Sequence, residues 1–379
     1  MEITIIGWYG TETIGDRAIL AGIIKVLSLY STSISIRLGS LYPFYTERTL
    51  FEDMFFFKKI SNNKLSNISI FDSKKPWQLE NNIKHSDLVM VGGGPLMDLI
   101  EMNMLEYAFF YAKRIHRKTL LFGCGWGPLK DAKYIEKAGR LVELSQYTIF
   151  RDNLSRSQCL KLFPQFEDKV SSSIDPAIIA CDYFIKNYKV TRSEDYIAIN
   201  FRDVLLEGNH YAKTNVTHDV FTRIIKTINS QTSLPIKLIP MHPFFIGGDD
   251  RVILNNIKEE VDLDNVSVEH EPLSLFETME KYYHAKICVG MRFHSIVLQT
   301  FLNGNNYILD YTDSLTGKII GFINQLNLNK FYSKKYCSLY EKNNQLNIDL
   351  GDNSRYIYST EVVVEAQNHY LSALSKIDV

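Results

Sequence analysis

Ile3-Thr-Ile-Ile6-Gly7-Trp-Tyr-Gly10-Thr-Glu-Thr-Ile-Gly15-Asp16 is the stretch on which the fold turns. An apolar, β-branched run enters a glycine-rich turn, and an amphipathic segment follows through Leu29. Strand, glycine turn and helix in that order open a βαβ unit. The order recurs downstream. Ser33–Leu38 reads as a strand. Leu88–Val91 is a short buried strand entering Gly92-Gly93-Gly94, and Leu99–Arg114 has helical length and period. Thr119–Phe122 runs into Gly123-Cys-Gly125-Trp126-Gly127-Pro128, and Tyr147–Phe150 ends at Arg151-Asp152. Ser61–Ser73 reads as a polar loop with a strand-like core. Repetition of this unit predicts a parallel sheet covered by helices, with ligands beyond the carboxyl ends of the strands.

A polar, lysine-bearing stretch, Asp182–Asp195, reads as a linker. A second alternating series follows: strands at Tyr196–Phe201, Ile236–Pro240, Val266–Glu269, Ile287–Val289 and Tyr307–Leu309. Helices are expected over Val220–Asn229, near Ile253–Glu260 and from Ser295 to Leu302. The expected fold class is therefore α/β, with two Rossmann-like domains whose parallel sheets face a central cleft. The domains are placed at 1–182 and 183–350. Residues 351–379 hold a last helix, about Ser359–Ser375; packing back on the first domain is one arrangement for it.

The chain has 379 residues, 45% of them hydrophobic and 22% charged, enough for two cores. Forty-two Lys and Arg balance 43 Asp and Glu, so no global field draws in nucleic acid. Five cysteines are scattered without CxxC spacing, which signals neither zinc nor a redox motif and suits a reducing cytoplasm. The first residues read as a strand and not a signal peptide, and no stretch is apolar for long enough to span a membrane.

Gly290-Met-Arg292-Phe293-His294 is the sharpest motif, because it places Arg292 and His294 at a strand-to-helix turn. Arginine offers a planar fork to carboxylate or phosphate, and histidine titrates near neutrality. Arg202 closes the strand Tyr196–Phe201, and His242 follows Ile236–Pro240. In a parallel sheet these four gather on one rim and suit a small dianion or trianion. Gly10, Gly15, Gly92, Gly93, Gly94 and Gly125 are candidates for close backbone approach to a ligand. Trp126 is a candidate stacking face for a sugar, with ordinary packing as the other reading. Asp16 reads either as a helix N-cap or as a ligand to an acceptor hydroxyl. Arg151-Asp152 and Asp175-Pro-Ala177 are weaker candidates, and Glu269 and Glu277 carry an E-x7-E spacing of low specificity.

In order, Gly7…Gly15-Asp16, Gly92-Gly-Gly-Pro-Leu-Met-Asp98, Gly123…Gly127-Pro128, Arg151-Asp152, Asp175-Pro-Ala177 and Gly290-Met-Arg-Phe-His294 resemble the polysaccharide pyruvyltransferase family. The resemblance implies a glycosyltransferase-B-like fold. It also implies transfer of pyruvyl from phosphoenolpyruvate to two hydroxyls of one sugar, giving a cyclic ketal. By similarity Arg202, Arg292 and His294 would hold phosphoenolpyruvate, with Phe293 and Arg151 also on the binding side. His294 is the first choice for the acid, and Asp16, Asp98 and His242 are candidate bases. The resemblance asks for no metal and no cofactor besides the donor substrate. It implies a sugar acceptor, free or lipid-linked, and a cytoplasmic place, peripheral to the inner plasma membrane face if the acceptor is lipid-linked. A nucleotide-sugar glycosyltransferase and a non-catalytic sugar-binding protein remain the competing readings.

Overall fold

The computed structural model describes residues 1–11, 13–188, 191–203, 216–313, 315–339 and 348–378. Two all-parallel sheets carry it. The first contains β1 (Glu2–Ile6), β2 (Ile34–Ser40), β3 (Leu65–Asp72), β4 (Leu88–Gly92), β5 (Pro95–Leu96), β6 (Lys118–Trp126), β7 (Tyr147–Phe150) and β8 (Val170–Ser172). Its order is β3-β2-β1-β4-β6-β7-β8, with β5 beside β6. The helices of this half are α1 (Ile14–Tyr30), α2 (Pro43–Ile60), α3 (Pro76–Lys84), α4 (Met102–Arg114), α5 (Ala132–Leu144), α6 (Asn153–Leu162) and α7 (Ala177–Asn187). Every residue of β4 is buried, which is why Leu-Val-Met-Val shows no alternation: helices cover both faces.

The second sheet runs β11-β10-β9-β12-β13-β14. Its strands are β9 (Ile197–Ile199), β10 (Ile236–Leu238), β11 (Val266–Val268), β12 (Ile287–Gly290), β13 (Asn306–Asp310) and β14 (Tyr336–Ser338). Helices α8 (Val216–Asn229), α9 (Asp250–Val261), α10 (Leu275–His284), α11 (Phe293–Leu302), α12 (Lys318–Gln325) and α13 (Asn329–Tyr332) accompany it, and α14 (Thr360–Lys376) ends the chain. In both sheets the order reverses beside a central strand, between β1 and β4 and between β9 and β12. Such reversals open the crevices in which α/β folds hold ligands.

The chain divides into two compact units: Met1–Glu12, Asp16–Tyr183 and Ser359–Val379 in one, Thr13–Gly15 and Phe184–Tyr358 in the other. In the first, Tyr370 of α14 stacks on Phe122 at 4.3 Å and donates its hydroxyl to the Ile174 carbonyl at 2.8 Å.

Four expectations change. The strand-like core read in the polar loop Ser61–Ser73 is a full edge strand, β3, paired with β2 from Ile34 to Ser40. The supposed linker begins inside α7, which continues to Asn187 because Cys181 and Phe184 are buried. Strand β6 does not stop at Phe122. It passes through the glycine run to Trp126 with a register shift between Phe122 and Cys124, where Gly123 takes a φ of 67°. Helix α11 begins at Phe293, with Arg292 in the N-cap position, two residues before the expected start.

Candidate active site

The second unit gathers the four predicted cationic and titratable side chains at the carboxyl ends of adjacent strands. Arg202 follows β9, His242 follows β10, and Arg292 and His294 follow β12. Asn200 ties these strand ends together. It donates Nδ2–H to the Ile239 carbonyl at 2.9 Å and accepts the Arg292 backbone N–H on Oδ1 at 3.1 Å.

Asp250, the first residue of α9, is the second organiser. It is buried, and its Oδ2 accepts the backbone N–H groups of Met241 and His242 at 3.0 and 3.2 Å. Its two oxygens also clamp Arg292: Nε lies 2.9 and 2.7 Å from them and Nη2 lies 2.6 Å from Oδ1. Arg292 is thus half of a bidentate pair with a buried carboxylate, since a carboxylate this deep requires a partner. Arg292 Nη1 makes no hydrogen bond with the described residues. A cavity of about 250 Å³ opens beside the pair, lined by Gly247, Gly248, Asp249, Asp250 and Arg292 among others.

Arg202 donates Nη1–H to the Tyr311 hydroxyl at 2.9 Å, and its guanidinium carbon sits 4.7 Å from that ring's centre. Tyr311 follows β13, so a third strand end supports this arginine. Phe293 is buried and meets His294 edge-on at 5.0 Å and Phe322 at 6.1 Å. The ring, predicted on the substrate side, packs here between a site histidine and α12. Gly15 lies against His294 so closely that a Cβ there would stand 2.0 Å from Nδ1. The neighbouring Ile14 N–H donates to the Met241 carbonyl at 3.1 Å. Thr13–Gly15 therefore belongs to this site although the rest of α1 packs in the first unit.

In the first unit the glycines answer a different need. A Cβ on Gly93 would meet Ile19 at 2.3 Å, and one on Gly94 would meet Trp8 at 2.1 Å. Gly92 accepts the Tyr9 hydroxyl at 2.7 Å, Gly10 lies against Ser40 and Tyr42, and Gly125 lies against the Arg151 guanidinium. The space expected for a ligand around Gly92, Gly93, Gly94, Gly10 and Gly125 is taken by the protein's own side chains. Gly94 and Gly125 also share a backbone hydrogen bond of 2.9 Å.

Trp126 is 8% exposed and packs edge-on against Phe150 at 5.9 Å and Phe163 at 6.1 Å. The ring belongs to the hydrophobic core of this unit, in line with the ordinary-packing reading. Arg151, predicted on the binding side, is buried with Asp175 at 3.5 Å and Asp152 at 3.7 Å, a charge cluster inside the unit. Asp152 caps α6 through Ser155 N–H at 2.6 Å, and Asp175 accepts the Ala177 N–H at 3.0 Å. Asp98 Oδ2 accepts the N–H groups of Lys130 and Asp131 at 2.9 and 3.2 Å, while Oδ1 has no hydrogen-bond partner. Asp16 is half-buried in the first turn of α1, where Thr11 donates its hydroxyl at 3.5 Å. It lies inside the helix, past the N-cap position. Burial, with the Asp16 charge second, holds the Tyr9 phenol well above its usual range.

The E-x7-E pair is structural. Glu269 pairs with Lys281 at 2.6 Å, and Glu277 closes a capping box with Ser274. No group of His, Cys, Asp and Glu among the described residues could hold a metal ion.

A family model for polysaccharide pyruvyl transferases matches residues 14–313. The chain belongs to the polysaccharide pyruvyl transferase family. Comparison with curated protein sequences found no match. Among solved structures, this family member is similar to the UDP-N-acetylglucosamine 2-epimerase of Rickettsia bellii, at 12% identity and a TM-score of 0.55 over 100% of this chain and 97% of that one. It is similar to UDP-GlcNAc 2-epimerase from Methanocaldococcus jannaschii, also at 12% and 0.55, over 98% and 93%. A glycosyltransferase from Rickettsia africae matches at 12% and 0.50 over 99% and 93%. These likenesses carry the fold alone, and it is the expected glycosyltransferase-B type. No helix among the described residues is long and apolar enough to cross a membrane.

Asn200 and Asp250 escaped the sequence reading. Asn200 lies two residues before Arg202 in an otherwise apolar strand, and Asp250 follows Gly247-Gly248-Asp249, a loop-to-helix signature that was available to read.

Proposed function

We propose that this protein transfers the pyruvyl group of phosphoenolpyruvate onto two hydroxyls of one sugar, forming a cyclic ketal and releasing phosphate. The acceptor is a sugar of a cell-surface polysaccharide or of its lipid-linked precursor, and the work is done in the cytoplasm. The observation that carries this reading is the convergence of Arg202, Arg292, His242 and His294 on the carboxyl ends of β9, β10 and β12, in a chain of this family.

Phosphoenolpyruvate brings a phosphate and a carboxylate, which require fixed donors in a site shielded from water. Arg202, braced by Tyr311, and Arg292, braced by Asp250, supply them without reorganising. His294 gives a proton to C3 of the enol, which makes C2 electrophilic. The first sugar hydroxyl adds to C2 and loses its proton to a base, for which Asp16, Asp98 and His242 are the candidates. Phosphate leaves, and the second hydroxyl closes the ring at C2 as its proton departs. No cofactor enters this sequence; phosphoenolpyruvate is the donor substrate.

The test is thermal unfolding with and without phosphoenolpyruvate. A ligand binding only the native state adds about 2.7 kcal/mol at a hundredfold excess over Kd. The wild type is expected to shift and Arg292→Ala is not. Stabilisation by a nucleoside diphosphate alone would replace this reading with a glycosyltransferase. Full ketal formation by His294→Ala would remove the histidine from the mechanism.

A further inference from the structure

Helix α2 of the first unit carries large apolar side chains on its exposed side as well as on its buried one. Its inner face buries Leu50, Phe56, Phe57 and Ile60 together with Thr46, Thr49 and Asp53. Thr49 Oγ1 accepts from Nη2 of the buried Arg17 at 3.2 Å, Asp53 lies 3.4 Å from its Nε, and Thr46 meets the Ser40 hydroxyl at 2.7 Å. Its outer face carries Phe44, Phe51 and Phe55, exposed by 77%, 89% and 66%. At 3.6 residues per turn these rings and Arg48 fall within about 60° of one another, so they form one stripe along the helix. A surface helix ordinarily turns polar residues to water, and an aromatic stripe of this length marks a contact surface.

Basic groups frame both ends. Lys58 and Lys59 are exposed in the last turn, with Lys59 Nζ 5.5 Å from the Phe55 ring centre. At the other end Lys74 Nζ stands 3.7 Å from the ring of Tyr42, and the exposed Trp77 follows in the same loop-to-helix segment. Glu52 is neutralised by Arg17 at 2.5 Å and by Arg48. Glu47 is the one carboxylate in α2 without an ion pair among the described residues. The surface is thus aromatic in the middle and positive at the rim.

We propose that this face seats the protein on an anionic lipid bilayer, with Phe44, Phe51 and Phe55 at the headgroup–acyl boundary and Lys58, Lys59 and Lys74 on lipid phosphates. Interfacial helices combine these residue types, and tryptophan suits the headgroup level. A second copy of the chain fits less well, because an isologous contact would set like patches of lysine near one another. The inference stands apart from the choice of donor.

The experiment is co-sedimentation of the full chain with vesicles of phosphatidylcholine alone and of phosphatidylcholine with phosphatidylglycerol. Binding is expected only to the anionic vesicles and is expected to weaken with salt. Phe44→Ser/Phe51→Ser/Phe55→Ser is expected to lose tenfold or more in partitioning while melting with the wild type, since all three rings face solvent. Lys58→Glu/Lys59→Glu is expected to weaken anionic binding roughly tenfold or more, at about 1 kcal/mol per basic residue. Failure of the wild type to bind anionic vesicles overturns the proposal, as does binding that the aromatic variant leaves unchanged. Dimerisation by light scattering that the aromatic variant abolishes, without vesicle binding, would assign the face to a second copy instead.

Discussion

Arg292 and Asp250 are locked as a bidentate pair at the carboxyl end of the second sheet, with Arg292 Nη2 2.6 Å from Asp250 Oδ1. The carboxylate side chain is 1% exposed and the guanidinium 16%, so water screens little of the attraction. The same carboxylate carries the Met241 and His242 backbones, and through them the approach to His242. One buried charge therefore sets the position of two predicted site residues.

Asp250→Asn follows directly. Asparagine keeps one acceptor but puts an NH2 group where an oxygen faced donors, leaving Arg292 uncompensated. Removing one partner of a buried pair costs about 3–5 kcal/mol, and the partial exposure of Arg292 argues for the low end. Urea unfolding is expected to show that loss. Asp250→Ala/Arg292→Met is expected to recover part of the stability while phosphoenolpyruvate binding stays absent.

Gly15→Ala tests the placement of His294. A methyl group 2.0 Å from Nδ1 must push the imidazole aside, because the glycine sits in a helix where alanine is otherwise welcome. Ketal formation is expected to fall by about a hundredfold, within the range carried by a positioned general acid. The methyl would also stand 2.8 Å from His294 Cβ, so overpacking is expected to cost about 1–3 kcal/mol in urea unfolding, and activity is compared where the variant is fully folded. Retained activity would show that His294 is not needed where it lies.

Trp126→Ala distinguishes core from sugar platform. Truncating a buried tryptophan costs about 3–5 kcal/mol. Calorimetry or urea unfolding is expected to register that loss, whereas Trp126→Phe is expected to keep acceptor KM near the wild-type value. A selective rise of KM in Trp126→Phe would return the ring to the binding site.

Thiol titration supplies a pH prediction. Burial pushes Cys124 and Cys159 up from an ordinary 9.0 to about 12. Below 9 the thiols are protonated in both states and contribute no pH dependence. Above 9 the unfolded chain loses these protons first, so stability is expected to fall as pH rises from about 9 towards 12. At pH 8 a thiol reagent is expected to label the native protein only as fast as it opens, since all five cysteines are buried.

Local periodicity was sufficient for the alternation of strands and helices, the parallel sheets and the placing of Arg202, His242, Arg292 and His294 just after strand ends. Each follows from a chain-local pattern: an apolar run, a glycine turn, an amphipathic stretch. Tertiary structure alone decided what the glycines and the charges do. Gly93 and Gly94 are small because Ile19 and Trp8 press on them, Trp126 faces Phe150 and Phe163, and Arg292 is clamped by Asp250, forty-two residues earlier. Glycine next to a ligand and glycine next to a side chain look the same in a sequence. The difference is the identity of the neighbour, which long-range packing sets and spacing along the chain does not encode.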